Sequence, residues 1–155
     1  MLKKLYLIRE TGQCIYHQVL GQVESDSEKN EANGNCDKDP NLISGFFAAI
    51  ISFADQVIGE DNNVNNLSLK NSNFYFIKRN HLHYILETDL DNPYFTEDDF
   101  YNILNKVAIM IELYLCENNI DDSIVQISEE KELNKSISNI VSKFMRSKIF
   151  SKISI

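Results

Sequence analysis

Proline and glycine are scarce, with 2 and 5 in 155 residues. That scarcity, beside an apolar share of 43%, excludes collagen-like and wholly disordered chains. No continuous apolar run approaches the ~20 residues of a membrane-spanning helix. The opening Met1–Glu10 has too short an apolar stretch for a signal peptide. Cysteine is limited to Cys14, Cys36 and Cys116, which are widely spaced, odd in number and without a CxxC pair. This pattern supports neither a zinc knuckle nor a thioredoxin-type site, and it fits reduced thiols in a cytosolic protein. The glycines never take GxxxxGK[ST] or GxGxxG spacing, so there is no phosphate cradle and the chain is not read as a GTPase itself. GxSxG is missing too, which removes a nucleophile elbow. No acid, base and nucleophile converge, and we expect a non-enzymatic protein without a cofactor.

What is present suits one domain over residues 1–155, able to bury roughly two-thirds of its unfolded surface without metal or disulfide. The net charge of −8 argues against nucleic acid as a partner. The charge is uneven. Residues 131–155 carry six cations against Glu132 alone, a net +5 that leaves −13 for the rest.

The pattern along the chain predicts eight elements. Residues 3–9 read as a strand apolar on both faces, with Leu5 and Leu7 on one and Tyr6 and Ile8 on the other. Thr11-Gly12 makes a tight turn, and Cys14–His17 returns as the second strand. Residues 21–38 are polar and acidic, and read as a mobile loop. Asp39 caps and Pro40 opens a first helix that Gly59 closes. Its positions 41, 44, 45, 48, 52, 55 and 56 form one narrow polar or small stripe, and large apolar residues cover the rest. That apolar arc is wider than one sheet contact requires, so a partner is expected to cover part of it.

A three-strand meander follows, with strands at 67–70, 74–77 and 81–87. Phe95-Thr96-Glu-Asp-Asp99-Phe100 then starts a second helix, with Thr96 and Asp99 as a capping box and Phe95 and Phe100 as a hydrophobic staple. A last helix is expected over 129–150, capped by Ser128 or beginning a turn earlier near Asp122. The strands 3–9 and 74–77 are apolar on both faces and need helices on both sides. We therefore expect an α+β fold: a five-stranded, mostly antiparallel sheet in a three-layer α/β/α sandwich.

This order of elements resembles the longin domain of the roadblock/longin superfamily, with its longin/profilin-like sandwich. The opening Leu5-Tyr-Leu-Ile-Arg9-Glu-Thr-Gly12-Gln-Cys-Ile-Tyr16 looks like the first hairpin of such domains. Asp39-Pro-Asn-Leu-Ile-Ser-Gly-Phe-Phe-Ala-Ala-Ile-Ile-Ser-Phe53 looks like their first helix, especially in free-standing archaeal members. No long heptad segment or membrane anchor follows, unlike longin SNAREs, and the insertion at 21–38 is longer and more acidic than expected of the family. The resemblance implies a cytoplasmic, non-enzymatic adaptor in processes like vesicle trafficking. It would bind or regulate a small GTPase and pair as a homodimer or with another longin or roadblock domain. Family pairing often uses the second strand and first helix, which here implicates Cys14, Tyr16, Gln18, Ile43, Phe46, Phe47 and Ile50. An edge strand can add a strand, and the surplus arc can supply the roughly 800 Å² per partner of a stable interface. Phe46→Asp or Phe47→Asp is expected to break assembly more than stability.

Other constellations are thinner. Cys14 and His17, three apart on a strand, should face opposite sides and make no nucleophile pair. His81 and His83 share a face and could touch a metal, with His17 as the one further histidine to approach, or the two could serve a small-ligand sensor on the sheet face; we expect no metal. Asp89-Leu-Asp91-Asn92-Pro93 begins like a calcium loop but has Tyr94 where glycine is needed, and reads as a turn. Residues 143–155 combine cations with Phe150, Ile153 and Ile155, a set that could make a weak peripheral contact with an anionic membrane or simply form a solvated outer face with a frayed end.

Overall fold

The computed structural model describes residues 1–21, 39–59, 64–118 and 131–153. The elements run β1 (Leu2–Arg9), β2 (Cys14–Val19), α1 (Pro40–Ile58), β3 (Asn66–Leu69), β4 (Ser72–Arg79), β5 (Leu82–Thr88), α2 (Glu97–Glu117) and α3 (Lys131–Ile153). The five strands form one sheet in the order β2-β1-β5-β4-β3, and every neighbouring pair is antiparallel. The expected α+β class is what the structure has. Most of the expected loop 21–38, Cys36, Ser128 and the start near Asp122 lie outside the described residues.

Local chemistry accounts for the hairpin. Gly12 takes φ +91°, where a side chain would be strained, and its N–H donates to the Arg9 carbonyl at 2.9 Å. Asn80 takes φ 55° at the β4–β5 turn, which its short polar side chain tolerates. Period-two alternation then divides β1 between two cores. Leu5 and Leu7 join a large core with Tyr84, Leu86, Ile103, Ile111 and Ile137 beneath α2 and α3. Tyr6 and Ile8 join a smaller, aromatic core with Phe47, Phe74, Phe76 and Ile85 beneath α1. Helices therefore cover both faces of the sheet. The strands expected to be shielded twice, β1 and β4, flank β5, and β5 is the middle strand.

Pairing lengthens β4 beyond the expected 74–77, because ladder bonds to β5 carry Asn73 and Lys78 into the strand. A bulge changes β2. Tyr16 lies opposite Leu7 while Cys14 lies opposite Ile8, leaving Ile15 extra. Cys14 therefore belongs to the α1 side, and His17, opposite Tyr6, shares that side. The expectation that Cys14 and His17 face opposite sides is corrected by this one inserted residue.

Thr96 and Asp99 form the reciprocal capping box, Thr96 N–H donating to Asp99 Oδ2 at 2.9 Å. Phe95 and Phe100 close the staple with ring centroids 5.9 Å apart. Asp39 caps α1 by accepting from the Asn41 N–H at 2.9 Å, with Pro40 in the first turn. α1 is 19 residues long with a mean hydropathy of 1.5, long and apolar enough by length and composition to cross a membrane. No continuous apolar run is involved: Ser44, Ser52 and Asp55 interrupt it without making the helix polar overall. In this fold one side of α1 packs on the sheet.

Candidate functional site

α1 meets the sheet through small and aromatic side chains. Ser44, Phe47 and Ala54 are its buried residues. Ser44 Oγ donates to the Gly12 carbonyl at 2.5 Å, tying the helix to the hairpin turn. A Cβ on Gly12 would stand 3.3 Å from Ala48 Cβ and 3.4 Å from Gly45 Cα, so helix and turn are as close as glycine permits. Part of the small-residue stripe thus faces the hairpin, and this orientation turns large apolar residues outward. Leu42, Phe46, Phe53 and Val57 recur at i, i+4, i+11 and i+15, one helical face, with Leu42 70% and Phe53 65% exposed. Ile58 is exposed as well but stands about 100° round the helix from Val57, away from that row.

The expected site residues divide sharply. Phe46 belongs to this outward face. Ile43 and Ile50 are half-buried at its margin. Phe47 does not reach the surface: its ring lies 4.9 Å from Phe74 and 5.4 Å from Phe76, in the small core. Phe47→Asp therefore acts on folding, which corrects the pairing of Phe47 with Phe46 as two assembly positions. Cys14 is buried, its Sγ 3.3 Å from the Tyr16 carbonyl, and burial pushes the thiol up to about 11. Tyr16 is fully buried; its hydroxyl lies 2.7 Å from Gln18 Oε1 and 2.5 Å from Asn134 Oδ1. Gln18 Nε2 donates to the Asn134 carbonyl at 3.1 Å and to Ser138 Oγ at 2.8 Å. These three side chains hold β2 to the chain's own interior and to α3. What β2 offers outward is backbone: it is an edge strand, paired among the described residues with β1 alone. Leu42, Phe53 and Val57 were missed as site residues, although their helical spacing is legible in the sequence.

The histidines are dispersed. His83 faces the α1 side opposite Ile8 and Lys78, while His17 is on β2 opposite Tyr6, about 12 Å away across two strand spacings and a two-residue offset along β1. His81 lies in the exposed turn before β5. Among the described residues no group of three metal-type ligands is assembled. Burial, then the nearby Lys78 charge, hold the His83 pKa below its ordinary value. Asp89, in the segment that begins like a calcium loop, lies 3.2 Å from the amino terminus and 3.2 Å from Lys3 Nζ, so cations of the chain neutralise it.

His83 does line an open-sided cleft of about 1090 Å³. The cleft exists because β3 covers only the first half of β4, from Ser72 to Tyr75. Beyond that point Phe76, Ile77 and Lys78 border open space between the end of α1 and the start of α2. Its rim is polar, with Glu97, Asp98 and Tyr101 from α2.

Comparison of the chain with protein-family models and with curated proteins gives no match.

Proposed function

We propose that this chain is a non-enzymatic interaction scaffold of longin type. It pairs with a second copy, or a related longin or roadblock domain, through the outer face of α1 and the edge of β2, and it binds or regulates a small GTPase. The observation that carries this reading is the row Leu42, Phe46, Phe53 and Val57, exposed on a helix beside an edge strand. Single exposed apolar residues are ordinary on a protein surface, but a contiguous row favours burial against another molecule. The edge backbone of β2 adds directional hydrogen bonds to that area. The GTPase half of the reading rests on the family resemblance. It is tested by retention of small GTPases, loaded with GDP or a non-hydrolysable GTP analogue, on immobilised wild type and on Phe53→Asp. Nucleotide-dependent retention supports it, and none in either state removes it.

A small-ligand sensor is the second reading, favoured by the cleft beside His83. It is separated from the first by a ligand-dependent rise in thermal midpoint that His83→Phe abolishes while Phe53→Asp leaves it intact.

A further inference from the structure

We infer that the outer face of α3 docks on an anionic lipid surface, on the opposite side of the sheet from the α1 face. The buried side of α3 is defined by four residues: Leu133, Ile137, Val141 and Phe144 point into the large core. Half a turn away, Lys135, Lys143, Arg146, Phe150 and Ile153 fall on one exposed stripe, with Asn139 and Ser142 between them and Glu132 as its one acid, a turn before Lys135. Beyond Glu132 the stripe is graded along the helix, with cations first and large apolar side chains in the last turns.

Two further cations of α3 are engaged differently. Lys148 Nζ lies 2.6 Å from Asp99 Oδ1, and Lys152 Nζ donates to the Pro93 carbonyl at 3.0 Å. Lys148 holds α3 against the start of α2, and Lys152 holds its last turn against the loop that precedes α2. Lys135, Lys143 and Arg146 make no ion pair among the described residues.

Charge complementarity selects the occupant. In a chain of net −8, the segment 131–155 carries +5. A basic stripe continuous with exposed phenylalanine and isoleucine suits an interface where headgroups take the cations and the acyl boundary takes the apolar tips. An acidic polypeptide would satisfy the cations but would leave the outward surfaces of Phe150 and Ile153 in water. Screening over about 8–10 Å at physiological salt weakens repulsion from the acidic remainder of the body more than attraction by cations in contact. α1 covers the other sheet face, so a partner on α1 and a membrane on α3 do not compete.

The test is co-sedimentation of the full chain with phosphatidylcholine vesicles, with and without phosphatidylserine. Each cation near the surface contributes roughly a fivefold gain in partitioning. Wild type should bind the phosphatidylserine vesicles, and added salt should weaken that binding. Lys135→Glu/Lys143→Glu/Arg146→Glu should lose it about a hundredfold or more. Phe150→Ser/Ile153→Ser should bind more weakly at every salt concentration, and Phe46→Asp should bind as wild type does. Circular dichroism checks that each variant is folded. Equal sedimentation with both vesicle types, an unaffected triple variant, or capture of a polyglutamate chain without any lipid binding overturns the inference.

Discussion

Phe46 and Phe47 are adjacent in sequence with ring centroids 5.6 Å apart, yet the first is 48% exposed and the second 1%. The helix turns 100° between them, enough to place one ring in the aromatic core and the other on the outer face. Phe47→Ala should cost about 3–5 kcal/mol in urea unfolding, as expected for an aromatic ring removed from a packed core. Phe46→Ala should stay within about 0.5–1 kcal/mol of wild type. Similar losses at both positions would mean that α1 is rotated differently on the sheet.

Asp99 belongs to the capping box of α2 and also receives Lys148 from α3 at 2.6 Å. Burial acts to raise its pKa, but hydrogen bonds from Lys148 and Thr96 outweigh it and hold the carboxyl below the ordinary value. Its stabilising contribution is therefore present above the unfolded value near 3.9 and lost as pH falls through the lower folded one. Asp99→Asn should lower stability at neutral pH by about 1 kcal/mol and Lys148→Met by less, read from urea midpoints. A neutral Asp99→Asn would show that the cap and the α2–α3 tie contribute nothing.

The readable parts of this chain were those set by neighbours in sequence. Thr96 with Asp99, Phe95 with Phe100, and Asp39 with Pro40 announce helix starts, because capping needs only residues a turn apart. The alternation Leu5, Tyr6, Leu7, Ile8 announces a strand shielded on both faces, because the two cores sort alternate side chains. The β2 bulge was not readable: it depends on how Tyr16 and Cys14 register against Leu7 and Ile8, a tertiary choice. The rotation of α1 was not readable either. It follows from the close approach of Ser44 and Ala48 to Gly12, residues more than 30 positions apart. That rotation is why Phe47 belongs to the core and Leu42 and Phe53 to the candidate site.

Gly12 sits at φ +91° with Ala48 Cβ 3.3 Å from where its own Cβ would be. Gly12→Ala should therefore cost about 1–2 kcal/mol from backbone conformation alone. Ser44→Ala should cost about 1 kcal/mol through the lost bond to the Gly12 carbonyl. Chemical denaturation checks both, and a stabilising Gly12→Ala would contradict the described turn.

His83 is buried and held below its ordinary pKa by burial, then by Lys78, against the smaller pull of Glu10 and Asp55. A folded value below the unfolded one near 6.5 means stability is full above about 6.5 and is lost as pH falls from there through the folded value. Wild type should lose more urea stability between pH 7 and pH 5 than His83→Phe does. Equal losses would place the titration elsewhere.

The outer face of α1 is most directly tested by sedimentation velocity across a concentration series, comparing wild type with Phe46→Asp/Phe53→Asp. A wild-type dimer that the double variant converts to a folded monomer is the predicted result. A wild type that stays monomeric at high concentration and sediments as the variant does would contradict pairing through this face.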